Sequence, residues 1–135
     1  MTTLILIRGL PGSGKSYLAK RLKGKHFEAD MYFIDSAGRY EFNPDQLKAA
    51  HAWCLGRTRL ELSVGFNVIV SNTFSQNWEM EPYLKAAQLH KATVQVIECQ
   101  GSFGSTHNVP QAVIEKMRAR WEAFTPLAQE ASHES

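Results

Sequence analysis

The chain has 135 residues, 44% of them hydrophobic and 21% charged, the size and balance of one globular domain with a single core. Its net charge of +2 gives no bulk basic field of the kind that marks nucleic-acid binders, although a local basic groove is compatible with it. Cys54 and Cys99 are far apart, in no metal-like spacing and behind no secretory leader, so they read as free thiols in a reducing, cytoplasmic setting. Leu4 to Ile7 is apolar but stops at Arg8, too short for a membrane span.

Leu4 to Arg8 forms a buried-type strand that runs into a glycine loop. From Lys15 the pattern turns helical, with Leu18, Ala19 and Leu22 on one face and Gly24 as a stop. His26 to Ala29 predicts a short second strand ending at Asp30. Asn43-Pro44-Asp45 opens a long helix, along which Leu47, Ala50, Cys54 and Leu62 keep to one side until Gly65.

Asn67 to Val70 predicts a third strand, followed by the polar group Ser71-Asn72-Thr73. A helix from Asn77 to His90 carries Pro82 near its start, and Thr93 to Glu98 alternates as a fourth strand. Gln100 to Asn108 reads as a loop, Pro110 opens a last helix striped by Ile114, Met117, Trp121 and Phe124, and Gln129 to Ser135 reads as a flexible tail. One domain over residues 1–128 is expected. Alternating strands and helices predict an α/β fold, a parallel sheet between helical layers (α/β/α). Ligands of such folds lie beyond the carboxyl ends of the strands, which directs attention to residues 9–16, Asp30, Ser71 to Thr73 and Cys99.

Gly9-Leu10-Pro11-Gly12-Ser13-Gly14-Lys15-Ser16 satisfies the Walker A pattern G-x-x-x-x-G-K-[ST]. Glycines let the backbone curl so that successive N–H groups point at phosphate oxygens. Lys15 brings a cation to the β and γ phosphates, and the helix that it begins adds a positive dipole end. The Ser16 hydroxyl is the candidate Mg²⁺ ligand. A chance glycine-rich turn is the bland alternative; a buried strand before the loop and a helix after it decide against that. The expected nucleotide contacts are Gly9, Pro11, Gly12, Ser13, Gly14, Lys15, Ser16 and Tyr17, and the expected cofactors are ATP and Mg²⁺. No guanine-reading Asn-Lys-x-Asp motif is present.

The loop, Ala29-Asp30-Met31-Tyr32-Phe33, Val68-Ile69-Val70-Ser71-Asn72-Thr73, Trp78-Glu79-Met80-Glu81-Pro82-Tyr83 and the closing Val109-Pro110 come in that order. Together they resemble the polynucleotide 5′-kinase-like branch of P-loop kinases, over about Leu4 to Phe124. The resemblance implies a transferase in which Asp30, beside Lys15, is the catalytic general base for an acceptor hydroxyl. A capping or surface aspartate is the alternative.

Three departures stand out. Phe33 occupies the place where related kinases often carry an acceptor-gripping arginine, and Ser71 stands where many have an aspartate. The segment Gln100 to Asn108 is short and holds no arginine, although a lid arginine is expected from the resemblance. Arg57, Arg118 or Arg120 would have to substitute. Asn72 and Thr73, at a strand end, are secondary site candidates together with Arg57. His51, Trp53, Trp78, Met80 and Tyr83 read chiefly as packing residues, and His107 as an exposed one.

The expectation is therefore ATP-dependent phosphotransfer to a hydroxyl such as the 5′-OH of a nucleic acid or nucleotide. The alternatives are a nucleotide-binding module with weak or no transfer, and a small-molecule kinase. No membrane association and no identifiable protein partner are expected.

Overall fold

The computed structural model describes residues 1–101 and 109–127. Of the arginine-free segment Gln100 to Asn108, only Gln100 and Gly101 are among the described residues. His107 and the tail from Gln129 lie outside the described residues. In chain order the elements are β1 (Thr3–Arg8), α1 (Lys15–Lys20), β2 (Lys25–Phe27), α2 (Leu47–Ser63), β3 (Val68–Asn72), α3 (Asn77–Leu89), β4 (Thr93–Glu98) and α4 (Gln111–Ala119). Single-turn 3-10 helices at Ala29–Phe33 and Pro44–Gln46 precede α2. The second starts where the sequence predicts, with the Asn43 side chain accepting a bond from the Asp45 amide.

The four strands are all parallel, in the order β2-β3-β1-β4. Strand alternation splits their side chains between the two faces. Leu4, Leu6, Val68 and Val70 pack with Cys54 and Leu62 of α2 and Met80, Tyr83, Leu84 and Ala87 of α3. Ile7 and Ile69 face the other way, onto Ala19 of α1, with Ile5, Leu18, Leu22 and Ile97 around them. The structure is thus the expected α/β fold, with helices on both faces of a parallel sheet. No described helix is long and apolar enough to cross a membrane.

Some predicted boundaries move. The second strand, expected over His26 to Ala29, is Lys25–Phe27, and Ala29 begins a 3-10 turn. Ser71 and Asn72, expected as a polar group just after the third strand, are its last two residues, paired with Ile7 and Arg8 of β1. Their polarity suggested an end to the strand; instead, side-chain hydrogen bonds satisfy them inside the fold. The last helix stops at Ala119, so Trp121 and Phe124 do not continue its stripe. The chain there turns back over the start of α3. Arg8, fully buried, donates to the carbonyls of Phe74 at 2.7 Å and Glu122 at 2.6 Å, and its guanidinium lies 4.1 Å from the Trp121 ring centroid. A buried cation is stable only when its donors are met, and the returning segment supplies part of that need.

Candidate functional site: a phosphate loop and two nearby carboxylates

Residues 9–16 link β1 to α1 at the carboxyl end of the sheet. Gly12 (φ 84°) and Gly14 (φ 96°) hold left-handed conformations that only glycine adopts without strain. Gly9 is required for a different reason. A Cβ there would collide with the Ser13 hydroxyl and stand 2.8 Å from the Cys99 carbonyl oxygen. The loop is pinned by bonds from the Gly9 amide to the Thr73 carbonyl and from the Ser13 amide to the Leu10 carbonyl.

The donors that remain are those a phosphate chain needs. Among the described residues, the amides of Gly12, Gly14, Lys15 and Ser16 have no backbone acceptor. The buried Ser13 hydroxyl has no partner either. Lys15 donates to the Leu10 carbonyl at 3.1 Å. Burial pulls its pKa below the usual lysine value, against the opposing charges of Glu28, Cys99 and Asp30. Unmet donors beside a partly desolvated ammonium fit a polyphosphate.

On one side of the loop lies a cluster that sequence reasoning missed. The Ser16 hydroxyl donates to Glu28 Oε1 at 2.8 Å. The same oxygen receives the Ser71 hydroxyl at 3.3 Å and lies 3.3 Å from His26 Nε2, which in turn is 2.6 Å from Ser71 Oγ. Burial pushes the Glu28 carboxyl up, but the hydrogen bonds from His26 and Ser16 and the charge of His26 outweigh it and hold the pKa below the usual value. The alternation His26-x-Glu28 in a strand beside the loop was the available signal. Among the described residues, no group of three or more His, Cys, Asp or Glu side chains could enclose a metal ion. An Mg²⁺ ion bound with a nucleotide would be held by Ser16 together with phosphate and water oxygens.

Asp30 follows two residues later, in the 3-10 turn Ala29–Phe33 that Glu28 caps. Asn72 positions this turn: its side-chain oxygen accepts from the Ala29 amide at 2.9 Å, while its amide group reaches Cys54 Sγ at 3.7 Å. Tyr40 donates its hydroxyl to Asp30 at 3.1 Å. Burial, then the charge and hydrogen bond of Asp30, raise the Tyr40 pKa to about 12.

A family profile described as an AAA domain matches residues 4–102. The chain belongs to this AAA domain family. It is 40% identical over 97 residues to human NEDD4-binding protein 2, an alignment that takes in 67% of this chain and 5% of that protein. Among solved structures, a chain of the Pnkp1/Rnl/Hen1 RNA repair complex superposes with TM-score 0.66 at 17% identity, over 99% of this chain and 46% of that one. Kti12 of Chaetomium thermophilum, solved with ADP-AlF3, gives TM-score 0.64 at 14% identity, over 89% and 80%. These likenesses show a P-loop NTPase-like α/β fold.

The remaining candidates of this AAA domain are dispersed. Tyr17 is exposed, with Arg21 donating to its hydroxyl at 2.9 Å. Pro11 is half-buried in the loop, and Thr73 serves it through the backbone. Arg57 pairs with Glu61 at 3.0 Å and lies over the Phe27 ring. Arg118 is near Glu115, and Arg120 donates to Ser75. Phe33 is buried with Ala29 and Ala50. Met80 and Tyr83 belong to the main core, Trp53 packs against its edge, and His51 and Trp78 are exposed.

Proposed function

We propose that the chain binds Mg-ATP through residues 9–16 and transfers the γ-phosphate to an acceptor hydroxyl. The observation that carries this reading is the loop itself, whose amides and buried Ser13 hydroxyl are unmet beside Lys15, with Glu28 hydrogen-bonded to the loop serine and Asp30 in the 3-10 turn that follows. Loop amides and the Lys15 ammonium stabilise the charge that develops on the phosphate oxygens. Ser16 would hold the Mg²⁺, which when bound neutralises phosphate charge. Asp30 takes the proton of the acceptor hydroxyl as its oxygen bonds to the γ-phosphorus and the bridging oxygen leaves with ADP.

The 5′-OH of a polynucleotide or nucleotide is the favoured acceptor, on the order of motifs along the chain and on the fold shared with the RNA repair complex. The Kti12 complex with ADP-AlF3 supports a nucleotide in the loop. A cytoplasmic setting accords with two free cysteines.

A binding module with little or no transfer is the second reading. Its support is that Arg57, Arg118 and Arg120 are each drawn to other partners, and an arginine at the transferring phosphoryl group is worth about 10³–10⁵ in rate. Incubation with γ-labelled ATP and 5′-OH oligonucleotides, alongside nucleosides and sugars, separates the readings. Label on the oligonucleotide is the expected outcome; nucleotide binding with no label on any acceptor would establish the module.

A further inference from the structure

Glu28 is extended (φ −142°, ψ 150°), so it continues the alternation of β2 one step beyond Phe27. The register pairs His26 with Ile69 and Phe27 with Val70. One step further brings Glu28 level with Ser71, on the face that α1 covers. The result is a carboxylate placed beside the hydroxyl of the Walker A serine, although the end of β3 offers only Ser71 and Asn72.

Mg²⁺ in P-loop proteins is shared between the loop Ser/Thr and a carboxylate, and it rarely manages with neutral ligands alone. Asn72 is committed elsewhere, to Ala29 and Cys54. Asp30 is bonded by Tyr40. Glu28 is the carboxylate bonded to Ser16, and the same bond that Ser16 now donates shows that the two oxygens lie near enough to share an ion.

Resting on the Mg-ATP reading, we infer that Glu28 is the acidic residue of the Mg²⁺ site, supplied from the end of β2, with His26 and Ser71 holding its carboxylate toward Ser16. In this arrangement Ser71 is a support for the acid and not a vacated ligand position. His26 and Ser71 are positioning residues; neither needs to touch the ion. Loss of an oriented acidic partner costs roughly 10–100-fold in metal affinity.

Calorimetric titration of ATP in EDTA and in excess Mg²⁺ tests the assignment on wild type, Glu28→Gln and the relocated pair Glu28→Gln with Ser71→Asp. Thermal melting of each without nucleotide gives the fold control. Wild type is expected to bind ATP in both conditions and more tightly with Mg²⁺; if it binds no ATP, the nucleotide reading itself fails. Glu28→Gln is expected to keep its EDTA affinity and lose about 10-fold or more of the Mg²⁺ gain, and the relocated pair to recover it. A wild-type gain in Glu28→Gln overturns the assignment. So does a relocated pair that binds ATP with no Mg²⁺ gain. Should Glu28→Gln not melt cooperatively, the pair alone decides; a pair that does not fold also counts against the assignment, which treats the two positions as alternative hosts for one acid.

Discussion

The two faces of the sheet carry different work. Toward α2 and α3, Leu4, Leu6, Val68 and Val70 sit in a continuous apolar cluster with two long helices. Toward α1, a helix of 6 residues covers only Ile7, Ala19 and Ile69 as buried core. On that same face the strand ends carry His26, Glu28 and Ser71 around Ser16. The same alternating strands thus feed a thick apolar layer and a thin layer with a polar end. The apolar weight lies toward α2 and α3, whereas the Ser16 cluster ends the face toward α1 and Asp30 sits in a turn that packs with Ala50 of α2.

The largest expected effect is on chemistry. Asp30→Asn should lower phosphotransfer by about 10²–10⁴-fold with ATP affinity near wild type, measured by label transfer and titration. An equal loss of ATP binding would place Asp30 in the nucleotide site and blur the division between binding and transfer.

The next effect is on the thick face. Leu6→Ala should cost about 2–5 kcal/mol in chemical denaturation, since Leu6 is fully buried in the main cluster. Leu18→Ala, from the half-buried surround of the thin face, should cost about 1 kcal/mol. Equal losses would refute the contrast between the layers.

The smallest effect sharpens the contact beside Asp30. The Tyr40 pKa is raised in the fold to about 12, so the fold favours the neutral phenol. The stability this contributes is complete below the unfolded value near 10 and is lost as pH rises toward about 12. Phenolate absorbance should lose its latest resolved step in Tyr40→Phe, and that step should move to lower pH in Asp30→Asn. An unmoved step would mean that burial alone sets it.

Much of this was legible beforehand. The Walker A pattern located the loop because its chemistry is carried by consecutive residues, and the strand and helix flanking it followed from apolar spacing. Asp30 was legible only through the resemblance; its environment, a 3-10 turn tied to Asn72 and a bond from Tyr40, was not. The β3 boundary fell two residues short because the polar side chains of Ser71 and Asn72 suggest a strand end until their buried partners are known. Arg8 gave no sign of being enclosed, since the segment that encloses it lies more than a hundred residues later.

The sequence by itself determined the loop, the α/β alternation and the set of residues at strand ends, all of which depend on local order along the chain. Only the tertiary structure decided that β2 lies beside β3, and so that Glu28 meets both Ser16 and Ser71. Strand order is a matter of which distant segments pair and pack together, a global problem that no local pattern encodes. That order turned an apparent lack of acid at the end of β3 into a carboxylate arriving from its neighbour.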